Sequence, residues 1–329
     1  MRDVMKKEND VTREDKRKNI SIVVPVFNEE ENVTPLLNRI FKALANDAHF
    51  EVLFVDDGST DGTMDKLRSL SHEHSTVRYL SFSRNFGHQC ALRAGLMHAD
   101  GDCVISLDAD LQHPPEVIPE MIARWREGFE IVLAVRSQDS SLPLLKRLTS
   151  RLYYRTINWL SDIHLEEGVA DFRLLDRKVV SLLRHLPEGN LFLRGIVHWV
   201  GFKKSIISYR QADRFSGTTK YSLSKMIRLA MQGITAFSVR PLRLATLLGL
   251  IIAGFTSMYA LYAVSMYVFT DRTVTGWTSL IVSVLFLGGM QMFLLGIIGE
   301  YLGRLFMESK KRPDYIIREQ GPDPDKPAA

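Results

Sequence analysis

The 329-residue chain carries 42 Lys and Arg against 38 Asp and Glu, a formal net charge of +4. That near balance, with no basic block, argues against nucleic acid as a partner, and two cysteines are too few for a disulfide-built fold. The length accommodates one soluble domain of about 230 residues plus a membrane part.

Residues 1–19 are charged and lack an apolar run, so they read as a disordered tail rather than a signal peptide. From Ile20 to Val26 the chain is apolar and β-branched without alternation, as in a parallel strand buried on both faces. Val33, Leu36, Leu37, Ile40, Phe41 and Leu44 recur at helical spacing, with Pro35 near the first turn, where it is tolerated. A second strand, Glu51 to Val55, runs into Asp56-Asp57-Gly58-Ser59-Thr60-Asp61-Gly62, and a helix is expected from Thr63, with Asp61 as its cap. Val77 to Phe82, Asp102 to Leu107 and Ile131 to Val135 read as further strands. Strands alternating with helices predict an α/β fold with a mostly parallel sheet, and ligands bind such sheets at the carboxyl ends of the strands. Asn28, Glu29, Asp56, Asp57, Asp108 and Asp110 all fall at those ends.

Asp108-Ala109-Asp110 carries the sharpest chemical signal. Two carboxylates at a strand end offer hard oxygen ligands to Mg²⁺ or Mn²⁺, and such ions commonly bridge carboxylates to substrate phosphates. The spacing alone is weak, since many such pairs are surface turns. No Gly-x-Gly-x-x-Gly follows the first strand and no Gly-Lys-Ser/Thr precedes a helix, so a bound diphosphate would be neutralised by the metal rather than cradled by a glycine loop. Cys90 and Cys103 fall in the predicted core and read as buried thiols, as in a cytoplasm-facing domain. His88 and His113 read as hydrogen-bonding residues rather than metal ligands.

Leu244 to Phe269 and Trp277 to Gly299 are uncharged, and each exceeds the roughly 20 residues needed to cross a bilayer. The short loop Thr270 to Gly276 makes them a hairpin. Arg240 and Arg243 precede it, and Arg304, Lys310, Lys311 and Arg312 follow it, so the positive-inside rule places both termini in the cytoplasm. Tyr221 to Ser238 reads as an amphipathic helix, either at the headgroup level or packed on the catalytic domain. Gly288, Gly289, Gly296 and Gly299 would permit close helix packing within or between chains, leaving a homo-oligomer open. The end after Gln320 reads as disordered.

Pro25-Val26-Phe27-Asn28-Glu29-Glu30, Val55 to Thr63, Ser83-Arg84-Asn85-Phe86-Gly87, Asp108 to Pro115, Gly168 to Arg177 and Arg214 to Tyr221 resemble glycosyltransferase family 2. The closest likeness is to polyprenyl-phosphate hexosyltransferases, namely dolichyl-phosphate mannose synthases and bacterial undecaprenyl-phosphate glucosyltransferases, and it runs on to Ile298-Gly299-Glu300-Tyr301-Leu302-Gly303-Arg304. The resemblance implies a GT-A catalytic domain over 20–220, an interfacial region over 221–241, a transmembrane hairpin over 242–306 and a cytoplasmic tail over 307–329. It implies an inverting enzyme of the bacterial inner membrane, serving cell-envelope polysaccharide or O-antigen modification. The donor would be a nucleotide sugar and the acceptor a polyprenyl phosphate. UDP-glucose is the first choice, with GDP-mannose and UDP-linked amino sugars open. The metal would sit on Asp108 and Asp110. Pro25, Phe27, Glu29, Asp56, Asp57, Arg84 and Gln112 would line the donor site, Arg84 being either structural or a diphosphate contact. Asp171 would be the catalytic carboxylate, as general base or by positioning, or else simply paired with Arg173. Arg173, Arg214 and Lys220 would meet the acceptor phosphate. A processive polysaccharide synthase fits less well: Arg124-Trp125 has Met121 where the Gln of those enzymes' Gln-x-x-Arg-Trp motif would stand, and sits too early in the chain. A non-catalytic nucleotide-sugar-binding scaffold is disfavoured by the presence of both Asp108/Asp110 and Asp171.

Overall fold

The computed structural model describes residues 19–45, 49–136, 169–186, 193–210, 238–270 and 276–321. In chain order these hold β1 (Ile20–Val26), α1 (Val33–Ala43), β2 (Phe50–Asp56), α2 (Thr63–Glu73), β3 (Val77–Phe82), α3 (His88–His98), β4 (Cys103–Ser106), α4 (Ile118–Arg126) and β5 (Ile131–Arg136). There follow β6 (Val169–Asp176), α5 (Arg177–His185), α6 (Leu193–Trp199), β7 (Lys204–Tyr209), α7 (Arg240–Thr270), α8 (Trp277–Ser309) and β8 (Ile317–Gln320). The chain divides into two units.

The first unit is built on one sheet, ordered β7-β5-β6-β4-β1-β2-β3-β8 among the described residues. The four central strands are parallel, as their uninterrupted apolar runs predict, while β6 and β8 run antiparallel to their neighbours. All seven residues of β1 are buried. Pro25, which cannot donate to a ladder, survives in this central strand because of where β4 stops. Pairing of β1 with β4 ends at Val23 opposite Ser106, so the missing N–H falls beyond the partner. Val33, Leu36, Leu37 and Ile40 bury one face of α1 against this sheet. Gly95 lets α3 approach β1, because a Cβ there would lie 2.1 Å from Val23 Cγ1.

Two strands were not anticipated. β6 enters between β4 and β5, antiparallel to both, within the mostly parallel sheet. β8 lies within 307–329, the stretch expected as a cytoplasmic tail: Ile317–Gln320 pairs with β3, and Gly321 N–H donates to Tyr79 O at 2.9 Å. Glu319 fastens it, accepting from Tyr79 Oη at 2.8 Å and from Arg68 at 2.9 and 2.7 Å.

The second unit contains α7 and α8. Arg240–Met266 and Leu280–Ser309 are long and apolar enough to cross a membrane, with mean hydropathy 1.9 and 2.3 and no burial within the protein. At 33 residues, α8 runs about 50 Å, well beyond a hydrocarbon core of about 30 Å. Tyr301 on α8 donates to Ser238 O just ahead of α7 at 2.7 Å. The amphipathic segment expected over 221–238 lies almost entirely outside the described residues.

Candidate active site

The parallel strands deliver their carboxyl ends to one edge of the sheet, and the backbone there is shaped for it. Asn28, just past β1, adopts a left-handed conformation (φ 55°) that asparagine tolerates, and its Oδ1 accepts from Thr60 N–H at 2.8 Å. Gly58 is also left-handed (φ 73°), and a Cβ there would lie 2.5 Å from the Arg84 carbonyl carbon. Past β4, Leu111 is left-handed at φ 61°, a conformation that costs leucine about 1–2 kcal/mol. Burial of its side chain and the Gln112 N–H bond to Asp110 Oδ1 at 3.1 Å hold that turn.

Asp108 and Asp110 are both partly open to solvent, and the Ala109 between them is buried. Asp108 Oδ1 bonds His88 Nε2 at 2.8 Å, and Asp108 N–H donates to His113 Nδ1 at 3.0 Å. Burial works against a charged imidazole, but the Asp108 carboxylate outweighs it and raises the His88 pKa. Both histidines thus act as hydrogen-bonding groups, and His113 stacks on Phe172 with centroids 5.3 Å apart. No cluster of three metal-binding side chains occurs among the described residues. The two hard carboxylates still fit a divalent cation that takes its other ligands from phosphate oxygens and water.

Asp171 lies at the same edge because β6 runs antiparallel to β4. Ser106 pairs with Arg173, and Ser106 Oγ donates to Asp171 O at 2.6 Å. Its carboxylate is 1% exposed and ringed by donors. Arg173 grips Oδ1, Arg194 reaches Oδ2 at 2.8 Å, and Gln89 Nε2 reaches Oδ2 at 3.2 Å. Burial alone would raise the Asp171 pKa. Arg173 and Arg194 reverse that and hold it well below the usual carboxylate range. This group is an anion throughout the working pH range.

Whole-chain likeness decides the family. Residues 21–183 match the family model Glycosyl transferase family 2, and 240–305 match the GtrB C-terminal hairpin. A prophage bactoprenol glucosyl transferase homolog of Escherichia coli (strain K12) is 45% identical over 91% of this chain and 98% of its own. The bactoprenol glucosyl transferase of Shigella phage SfV is 44% identical over 92% and 98%, and the uncharacterized glycosyltransferase YkcC of Bacillus subtilis (strain 168) is 44% identical over 91% and 93%. The chain belongs to glycosyl transferase family 2. It is a glycosyltransferase with a GT-A-like mixed, mostly parallel sheet and a C-terminal helical hairpin.

In this glycosyltransferase several expected site residues take other places. Arg173, expected to meet the acceptor phosphate, is 2% exposed, with its guanidinium donating to Asp171 and to Leu193 O at 3.3 Å. Pro25, expected to line the donor site, is buried inside β1, while Phe27 two residues on is 43% exposed. Asp56 and Asp57 reach the site edge, but their oxygens serve the fold. Asp56 accepts from Ser59 N–H at 3.0 Å and Ser81 Oγ at 2.8 Å, and Asp57 accepts from Phe86 and Gly87 N–H at 2.6 and 2.9 Å. Burial pushes the Asp57 carboxyl pKa up in spite of those bonds. Glu29 accepts from Asn32 Nδ2 at 2.6 Å. Arg84 lies 4.2 Å over the Phe86 ring. Gly62, not Asp61, is the N-cap of α2, and Asp61 just before it accepts from Thr63 N–H at 3.1 Å. Arg214 and Lys220 lie outside the described residues. Cys90 and Cys103 are free thiols, and burial pushes Cys90 up to about 11.

Sequence reasoning missed Gln89 and Arg194 as partners of Asp171. Gln89 had a usable signal, since it adjoins His88 in the first turn of α3, next to the Ser83 to Gly87 motif. Arg194 had none: it stands alone on a seven-residue helix far from Asp171 in the chain.

Proposed function

We propose that this enzyme transfers one glucose from UDP-glucose to undecaprenyl phosphate, with inversion at the anomeric carbon. The observation that carries this reading is the near full-length likeness, hairpin included, to proteins named bactoprenol glucosyl transferases. An oxygen of the lipid phosphate forms the new bond to the anomeric carbon. The bond from that carbon to the diphosphate breaks, and its electron pair leaves with UDP. A Mg²⁺ or Mn²⁺ ion on Asp108 and Asp110 would supply Lewis acidity at the diphosphate. Phe27, Glu29 and Gln112 border the donor, on walls shaped by Asp56, Asp57 and the Arg84-Phe86 contact. Arg214 and Lys220 are offered to the acceptor end. A phosphate monoester, with second pKa near 6, is already largely ionised at neutral pH, so the nucleophile needs little help from a base. Asp171, anionic and saturated with donors, suits positioning better than proton abstraction.

Purified full-length protein is assayed with undecaprenyl phosphate and a panel of UDP-glucose, GDP-mannose and UDP-linked amino sugars. One glucose per lipid, from UDP-glucose, is expected. A different preferred sugar corrects the donor, and a polymer or no product from any donor refutes the reaction. The same reading puts the catalytic unit and both termini on the cytoplasmic face of a bacterial inner membrane. A cysteine replacing Thr273 should then react with an impermeant thiol reagent in intact cells, and one replacing Ser309 should not. The opposite labelling overturns that topology.

A further inference from the structure

The residues that follow Arg312 belong to the first unit, and the contacts of Asp314, Tyr315 and Ile316 gather on one piece of it. That piece is the end of β3, the turn after it, and α3. Tyr315 stacks on Phe82, the last residue of β3, with ring centroids 5.0 Å apart and planes within 13° of parallel. It also meets His98, the last residue of α3, edge-on at 6.3 Å. Ile316 O accepts from Ser83 N–H at 2.9 Å. Asp314 pairs with Arg93 in the middle of α3, and both side chains are largely out of water. Glu319, farther along, bonds Arg68 and Tyr79 instead.

The same turn enters the candidate active site. Phe82 meets Phe86 edge-on at 5.8 Å, and Phe86 and Gly87 donate their N–H groups to Asp57. The next two residues open α3, where His88 bonds Asp108 and Gln89 bonds Asp171. Gly87 joins turn to helix at φ 105°, and glycine's conformational freedom leaves that joint unfixed by local preference. Tertiary contacts must therefore fix it. Asp57 does so from the sheet edge, and Tyr315 and Asp314 do so through Phe82 and α3. Any shift of the turn moves the Asp57 wall, His88 and Gln89 together. We propose that Asp314 and Tyr315 are positioning residues of the active site, holding the turn between β3 and α3 in the shape that binds the donor's nucleoside diphosphate. This rests on the nucleotide-sugar reading above.

The test uses the full-length enzyme in detergent. UDP binding with Mn²⁺ is measured by calorimetry, melting temperature by thermal shift, and the KM of UDP-glucose and of undecaprenyl phosphate from initial rates. Tyr315→Ala removes one aromatic pair, so it should weaken UDP binding and raise the donor KM by about threefold to tenfold. The acceptor KM should stay within about twofold. Tyr315→Phe keeps the ring and should restore both donor quantities to within about twofold of wild type. Asp314→Asn should shift them the same way as Tyr315→Ala, by about twofold to fivefold. Glu319→Ala is the control on the same segment: it should lower the melting temperature and leave UDP binding unchanged, because Glu319 holds β3 and α2 rather than the turn. If Tyr315→Ala does not fold, Asp314→Asn decides by the same measurements. Unchanged UDP binding in Tyr315→Ala, a loss confined to the acceptor KM, or an equal loss of UDP binding in Glu319→Ala overturns the assignment. Wild type that does not bind UDP with Mn²⁺ overturns the donor reading instead, so the two failures are told apart.

Discussion

The two acidic positions at the sheet edge are made of the same residue and are opposite in character. Asp108 is 32% exposed and flanked by two histidines, His88 and His113, whereas Asp171 is 1% exposed and held by two arginines and a glutamine. An open carboxylate with a displaceable partner is free to ligate a cation. A sealed one, saturated with donors, has its geometry fixed and its charge spent inside the protein. The comparison teaches that the role of an aspartate here is set by what surrounds it, not by its place in a motif.

The sharpest way to break the comparison is at the open end. Asp110→Asn removes one of the two hard ligands and should cut transfer by more than about a thousandfold, as should excess EDTA with wild type. The folded state should be unaffected, because Asp110 is partly exposed. Full activity of the variant, or of wild type in EDTA, removes the cation from the account.

At the sealed end the expected loss is of a different kind. Asp171→Asn leaves Arg173 and Arg194 facing a neutral amide in the interior, which should cost about 3–5 kcal/mol of stability, read as a lower melting temperature. A carboxylate with a depressed pKa contributes stability above its unfolded pKa and loses it as pH falls towards the folded value. The gap between wild type and variant should therefore be full at neutral pH and close only in strong acid. In activity, the variant's loss should persist at pH 8 to 9, since ionising the acceptor cannot restore a missing contact. Recovery to near wild-type rates at high pH would make Asp171 a base.

Gln89→Ala tests the neutral member of the ring. With both arginines still in place, the rate should fall by less than about tenfold. A fall as large as that of Asp171→Asn would mean that Gln89 meets substrate itself.

The smallest effect is expected far from either aspartate, at the Arg68 pair with Glu319 on β8. Arg68→Ala should cost less than about 1 kcal/mol, since both side chains are a third or more exposed. Arg68 and then Tyr79 hold Glu319 down at about 2. Its contribution is present above about 4.5, the ordinary glutamate value, and fades as pH falls towards 2. The difference in melting temperature should shrink over that window, and an undiminished difference at pH 3 refutes the pairing.

Much of this was legible in the sequence. Apolar, β-branched runs such as Ile20 to Val26, broken only by Ser21, read as strands buried on both faces, and they set the strand-end positions of Asp56 and Asp108. The uncharged stretches of α7 and α8 were likewise legible as helices long and apolar enough to cross a membrane. β6 was not legible, because Asp171 and Arg173 interrupt its apolar signature, although both side chains are buried by neutralising each other. The i, i+2 spacing that puts them on one face of a strand was the available clue, and it favoured a salt bridge over an acceptor-binding arginine. β8 was hidden by its composition, since Ile-Arg-Glu-Gln is the short, charged run that suits a sheet edge and reads as loop. Arg194 depends on a tertiary contact with no local pattern behind it.

The position of β8 bears on how the protein is made. The strand that covers the edge of β3 is translated after both apolar helices. Both apolar helices therefore leave the ribosome while the sheet still lacks its last strand. During that interval β3 offers unpaired N–H and C=O groups, and Tyr79 and Arg68 lack Glu319. A fragment cut before the hairpin, in the hope of a soluble catalytic unit, would keep that bare edge for good and should self-associate through it. Restoring 313–321 to such a fragment closes the edge without any membrane segment.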